Sequence, residues 1–185
     1  MALVAAATAV GLLTAVACSG GGASAGGCGA PHHDLLDVRS TLHLLPGAPE
    51  PPYSTDPPTS GAHRVGYYPR GVNASPIARP TQVALLEKGF VVVQYRSSLG
   101  PAAAAALTPL TALNPYIAIA PNPTLPNPVV ATVWLNVLRC GSADAAAVAA
   151  IGRFATQRVG HGAEPTIPLS ATSPGGVTTT TSPAP

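Results

Sequence analysis

Apolar positions are spread unevenly along the chain, and the regular elements they predict lie in its second half. Phe90 to Arg96 (FVVVQYR) follows Gly89 and is β-branched and aromatic, which predicts a strand. Gly100-Pro101 opens a helix with proline at its first position; the alanine run and Leu107 carry it until Pro109 ends or bends it. Tyr116 to Ala120 (YIAIA) predicts a second strand, stopped by Pro121-Asn122-Pro123. Val129 to Leu138 (VVATVWLNVL) is apolar on both faces apart from Thr132 and Asn136, the pattern of a central strand, with Trp134 in the core. Ser142 as N-cap and Asp144 in the first turn then start a helix that runs to about Val159, before Gly160. On it Ala147, Val148, Ile151, Phe154 and Ala155 share one face, while Asp144, Arg153 and Gln157 point away. The order strand–helix–strand–strand–helix predicts an α+β fold, with helices packed on one small mixed sheet.

The first half reads differently. Pro46, Pro49, Pro51, Pro52, Pro57, Pro58 and Pro69 exclude long helices up to about Pro80, because each ring removes an N–H and clashes with the preceding turn. A short strand fits Thr41 to Leu45. Pro57-Pro58-Thr59-Ser60-Gly61 predicts a rigid extended run into a turn, with Gly61 free to take positive φ. The domain is expected to span 31–169. The tail 170–185, which includes ATSPGGVTTTTSPAP, is rich in Thr, Ser and Pro and is expected to be disordered.

Composition adds the compartment. The 185 residues have room for one domain plus appendages, and nine Lys plus Arg against seven Asp plus Glu give a net charge of +2. No basic run exists to displace counterions from phosphates, which excludes nucleic acid as a partner. With one Trp, five Tyr and two Phe, the core must be aliphatic. The first charged residue is Asp34. Before it, residues 1–17 (MALVAAATAVGLLTAVA) are shorter than the ~20 apolar residues of a membrane span and suit the apolar core of a signal peptide. Ala15-Val16-Ala17-Cys18 resembles a bacterial lipobox, in which cleavage leaves a lipidated cysteine as the new first residue. Alanine stands at 15 where leucine is usual, and no Lys or Arg precedes the run. The expectation is an extracytoplasmic protein anchored to the cell membrane through Cys18; ordinary cleavage and secretion is the alternative. Residues 18–30 then supply the attachment cysteine and a Gly/Ser/Ala linker. Cys28 and Cys140 suit a disulfide in an oxidising space, which would pin the linker to the domain, with two free thiols as the alternative.

Tyr53 to His63 (YSTDPPTSGAH) resembles the Tyr-x-x-x-Pro-Pro-Thr-Ser-Gly-x-His signature of the bacterial family called domain of unknown function 3105. The matching residues are Tyr53, Pro57, Pro58, Thr59, Ser60, Gly61 and His63. The likeness continues through Leu86, Glu87, Gly89 and the apolar strand ending in Tyr95, and resumes around Trp134. It implies an exported or membrane-attached protein with no agreed activity. That family often carries a histidine before the apolar strand and another after the glutamate; Ala84 and Lys88 stand there instead, whereas His43 and His63 match family histidines.

The candidate chemistry is sparse. His43 and His63 sit in separate loops that the fold could bring together, with Glu87 as a carboxylate partner, and imidazole suits copper, zinc or nickel outside the cytoplasm. The bland alternative is that His63 bonds backbone in its own turn. His32-His33-Asp34 is a second, adventitious metal candidate, and His161 completes the histidines. Asp56, Ser60 and His63 have the residue types of a nucleophilic triad, but their crowding in one turn points to local hydroxyl–amide bonds. Glu87 beside Lys88 fits an ion pair or a buried carboxylate at the start of the strand. Tyr67-Tyr68 with Arg64 and Arg70 is an aromatic–cationic cluster suited to a sugar or peptide face. The leading reading is a non-enzymatic tethered domain that binds an envelope ligand or protein, with no cofactor beyond a transition metal. An extracytoplasmic metal-binding protein with a degenerate histidine site comes second and an envelope enzyme third.

Overall fold

The computed structural model describes residues 27–166. The signal-like segment, Cys18, the linker up to residue 26 and the tail from residue 167 lie outside the described residues. In chain order the elements are β1 (His32–His33), β2 (Gly71–Val72), α1 (Arg79–Glu87), β3 (Val91–Arg96), α2 (Gly100–Leu107), β4 (Ile117–Asn122), β5 (Val129–Val133), β6 (Asn136–Cys140) and α3 (Ala145–Arg158). The strands form one mixed sheet in the order β1-β6-β5-β3-β4-β2, so the architecture is α+β.

The sheet is built around β3. All of Val91 to Tyr95 is buried, because β3 runs parallel to β4 on one side and antiparallel to β5 on the other. A parallel pair needs a crossover, which α2 and its flanking 3-10 turns supply. Gln94 and Thr132 are the polar residues at the sheet centre: the Gln94 carbonyl accepts from the Asn122 amide at 2.8 Å, and the Thr132 hydroxyl donates to the Val92 carbonyl at 3.3 Å. Helix α3 lays Ala147, Ile151, Phe154 and Ala155 on the core. Burial of Ile151 and Phe154 contributes about 1.5–3 kcal/mol each.

The structure departs from the sequence expectations at several points. Helix α1 lies just where the proline-rich half ends, with Pro80 in its first turn, where the missing N–H costs nothing. It is buried from Gln82 to Glu87, so it shows no amphipathic period. The strand expected over Val129–Leu138 is two strands, β5 and β6, paired antiparallel. Trp134 is therefore half-buried in the turn between them and not within a central strand. Leu135 takes φ +59 there, a conformation costing a non-glycine residue roughly 1–2 kcal/mol. Long-range bonds offset that cost: its N–H donates to the Thr59 carbonyl at 3.1 Å, and its carbonyl accepts from the Asp34 N–H at 2.8 Å. Asp144, not Ser142, caps α3, its carboxylate accepting the Ala147 N–H at 2.8 Å. β4 continues through Pro121, whose partner in the ladder is Tyr95. Thr41 to Leu45 forms no strand, only a single bridge between His43 and His63.

Cys28 and Cys140 are joined by a disulfide. From Cys28 to Asp34 the chain lies along β6, with Gly29 N–H donating to the Arg139 carbonyl at 2.8 Å. The last residues assigned to the linker are thus docked on the sheet.

Candidate metal centre

The proline motif is a scaffold for His63. Thr59 donates its hydroxyl to the Asp34 carboxylate at 2.9 Å, and the Ser60 hydroxyl accepts the Asp37 N–H at 2.9 Å. Ser40 accepts the Gly61 N–H at 3.0 Å while donating to the Asp37 carbonyl at 2.6 Å. Gly61 has φ +127 and lies against the Tyr53 ring, where a Cβ would come within 3.0 Å of Cδ1. The Tyr53 hydroxyl donates to the Ala62 carbonyl at 2.7 Å, and burial pushes its pKa up to about 12. Arg39 holds Asp37 through two contacts, Nε at 2.9 Å and a terminal nitrogen at 2.6 Å. That bond keeps the Asp37 carboxyl below the usual carboxylate range, against the opposing effect of its burial. The motif residues thus act as the turn chemistry that fixes where the chain goes next.

It goes to His63, which is wholly buried. The His63 N–H donates to the Leu42 carbonyl at 3.0 Å and its carbonyl accepts from the Leu44 N–H at 2.7 Å, which sets His43 beside it. The two imidazoles meet edge to face with centroids 4.8 Å apart. His63 Nδ1 lies 3.1 Å from the Gly61 carbonyl; a carbonyl only accepts, so Nδ1 carries the proton. In the neutral ring Nε2 is then the lone-pair nitrogen, and it lies 3.0 Å from Oε2 of Glu87, the last residue of α1. Both atoms are buried, yet neither has a hydrogen bond of acceptable alignment. Lys88 Nζ stands 3.5 Å from the same Oε2 and 2.8 Å from Oε2 of Glu164.

Donor atoms of His43, His63 and Glu87 all lie within 4.8 Å of one another. Donors bound at ~2.0–2.2 Å in a tetrahedral site are roughly 3.3–3.6 Å apart, so His63 Nε2 and Glu87 Oε2, at 3.0 Å, need part only slightly to share an ion. His43 is exposed and has room to close the remaining gap. Its neighbour's Nδ1–H on a backbone carbonyl is the outer bond that commonly orients a metal-binding imidazole. Two imidazoles and one carboxylate fit zinc, copper(II) or another divalent first-row ion, and three protein ligands leave a position open.

The chain's last described segment closes over this end of α1. Glu164 N–H donates to the Glu87 carbonyl at 2.9 Å, and Gly160 N–H donates to the Gly89 carbonyl at 2.8 Å. The Glu164 carboxyl is held below its ordinary range, first by the Lys88 hydrogen bond, with the His43 and His63 imidazoles adding to the effect.

The remaining sequence candidates fall elsewhere. Asp56 is exposed and Ser60 is committed to the Asp37 amide, while His63 faces Glu87; these three form no relay. His32 and His33 are exposed on β1, His32 lying 3.4 Å from Asp34 and His33 3.4 Å from Asn136. His161 is exposed after α3. The aromatic–cationic cluster divides: Tyr68 stacks on Phe90, Arg70 lies over Phe90 and Tyr116, and Arg64 donates to the Ala48 carbonyl at 2.9 Å. Tyr67 stays exposed and lines a cleft of about 380 Å³ with Pro69, Asn73, Pro76 and Thr81. Sequence reasoning passed over Glu164, because nothing in its spacing ties it to Glu87.

Fold and site define a small α+β domain that carries a buried histidine–carboxylate pair at one end of a mixed sheet. No curated protein and no solved structure matches the chain. The chain belongs to the family described as "Protein of unknown function (DUF3105)", whose model matches residues 50–170. The match covers the proline motif, α1, the strands from β2 to β6 and α3.

Proposed function

We propose that this is an extracytoplasmic, membrane-tethered protein that binds a divalent first-row transition metal through His43, His63 and Glu87. The observation that carries the reading is the buried contact between His63 Nε2 and Glu87 Oε2. Two buried polar atoms 3.0 Å apart, neither with an aligned hydrogen bond, suit a shared cation, and His43 offers a third donor beside them. The disulfide favours an oxidising compartment, and the apolar run ending at Cys18 favours export with a lipid tether. The role proposed is binding; Ser60, the nucleophile candidate of the sequence, already accepts the Asp37 N–H. A second reading, an envelope sugar- or peptide-binding face, has the Tyr67 cleft in its favour.

Calorimetric titration of the metal-stripped full chain with zinc and with copper(II) tests the proposal. Expected is one saturable site, weakened at least about 100-fold by His63→Ala and clearly weakened by His43→Ala, whose exposed ring is not needed for folding. Heat that disappears on joint replacement of His32 and His33 but survives His63→Ala would overturn the reading, as would no saturable binding. Intact mass should show a lipid on Cys18; an unmodified N-terminus at or after that residue refutes the tether.

A further inference from the structure

We infer that Glu164 is the fourth ligand of this site and that Lys88 is an internal cation competing with the metal for the two carboxylates. The inference rests on the metal-binding reading and adds to it. One ammonium is shared between Glu87 Oε2, at 3.5 Å, and Glu164 Oε2, at 2.8 Å. The two carboxylates therefore converge on one cationic position, and that position adjoins the buried His63 Nε2 through Glu87.

The backbone that carries Glu164 is held firmly. Its own N–H is bonded to the Glu87 carbonyl, and Gly160 N–H is bonded to the Gly89 carbonyl, so the strap 160–164 is fastened on both sides of Lys88. Glycine is required at 162, because a Cβ there would come within 2.0 Å of the Glu87 carbonyl oxygen. Glu164 is not among the three residues whose donors already converge; on its fixed main chain the 63% exposed side chain would join them by a rotamer change away from Lys88. Two imidazoles and two carboxylates complete a four-coordinate shell. The charges agree: the two carboxylates together carry −2, which one ammonium only half neutralises and a divalent ion in its place neutralises in full.

The test is zinc affinity, by competition with a chelator, for the metal-stripped full chain and its Glu164→Gln, Lys88→Met and His63→Ala variants, with cobalt(II) absorption as a second readout. Glu164→Gln should weaken zinc at least about tenfold and dim the intense visible bands of four-coordinate cobalt(II). Lys88→Met should tighten zinc by about tenfold, which a merely structural lysine would not do. Both residues form a partly exposed ion pair worth little to folding, so the variants should melt close to the parent. Unchanged affinity and an unchanged cobalt spectrum in Glu164→Gln would overturn the ligand assignment while His63→Ala still reports on the site. Equal or weaker binding in Lys88→Met would overturn the competitor role. A parent chain that takes up no metal removes both.

Discussion

Opening the disulfide should cost more stability than any single side chain in this domain. Cys28 and Cys140 are 112 residues apart, so the bond closes most of the folded chain into one loop. In the chain-entropy account a loop of that length restricts the unfolded ensemble by about 4.8 kcal/mol at 25 °C. For roughly 140 ordered residues at ~2.1 cal/mol/K each, that is a fall of about 16 °C in the unfolding midpoint. Two perturbations measure it separately. Reduction of the parent leaves every atom but the bond, whereas Cys28→Ala with Cys140→Ala also removes two buried sulfurs, at 3% and 1% exposure, and should fall further. Differential scanning calorimetry with and without a phosphine reductant gives both numbers. A reduced parent melting within about 3 °C of the oxidised one would refute the reasoning. It would mean that the unfolded chain already keeps its two ends together, for example through residual β1–β6 pairing.

Two further outcomes follow from local geometry. Asp144→Ala should destabilise α3 by removing the acceptor of the Ala147 N–H. That N–H, and then the Ser142 hydroxyl, hold the Asp144 carboxyl below its usual range, so its contribution is present above about pH 4 and lost as pH falls through the folded value. The difference in melting temperature between parent and variant should therefore shrink on acidification; a gap that widens below pH 4 contradicts the cap. Gly89→Ala should cost about 1–2 kcal/mol for its left-handed backbone alone, at φ +85, and more because the new Cβ would lie 2.8 Å from Gly160 Cα. Urea unfolding reads the cost, and equal stability would show that the strap 160–164 yields freely.

The parts of the fold legible in the sequence were those whose pattern is local. FVVVQYR, YIAIA and the one-sided apolar face of Ala147 to Ala155 each announce an element, and the structure has β3, β4 and α3 there. What escaped was set by distant partners. The two turn positions, Trp134 and Leu135, carry neither the glycine nor the asparagine of a tight hairpin; the turn is secured by Thr59 and Asp34, far away in sequence. Helix α1 was hidden by the unbroken burial of Gln82 to Glu87, which erases periodicity. For the site, residue types and family likeness singled out His43, His63 and Glu87, but only the bridge from Leu42 and Leu44 to His63 brings them together. Glu164 and its hold on Lys88 had no sequence signature, because the contact depends on a glycine at 162 that lets two backbones touch.

The covalent bond between residues 28 and 140 also decides how the domain carries load. Tension applied upstream of Cys28 passes directly into β6 and leaves by whatever follows Cys140; the loop between them is slack. His43, His63 and Glu87 all lie inside that loop, so pulling on either end of the chain does not draw them apart. Glu164 lies outside it, on the path to the C-terminus. Of the four side chains placed around the site, it is the one that a force on the tail could take away.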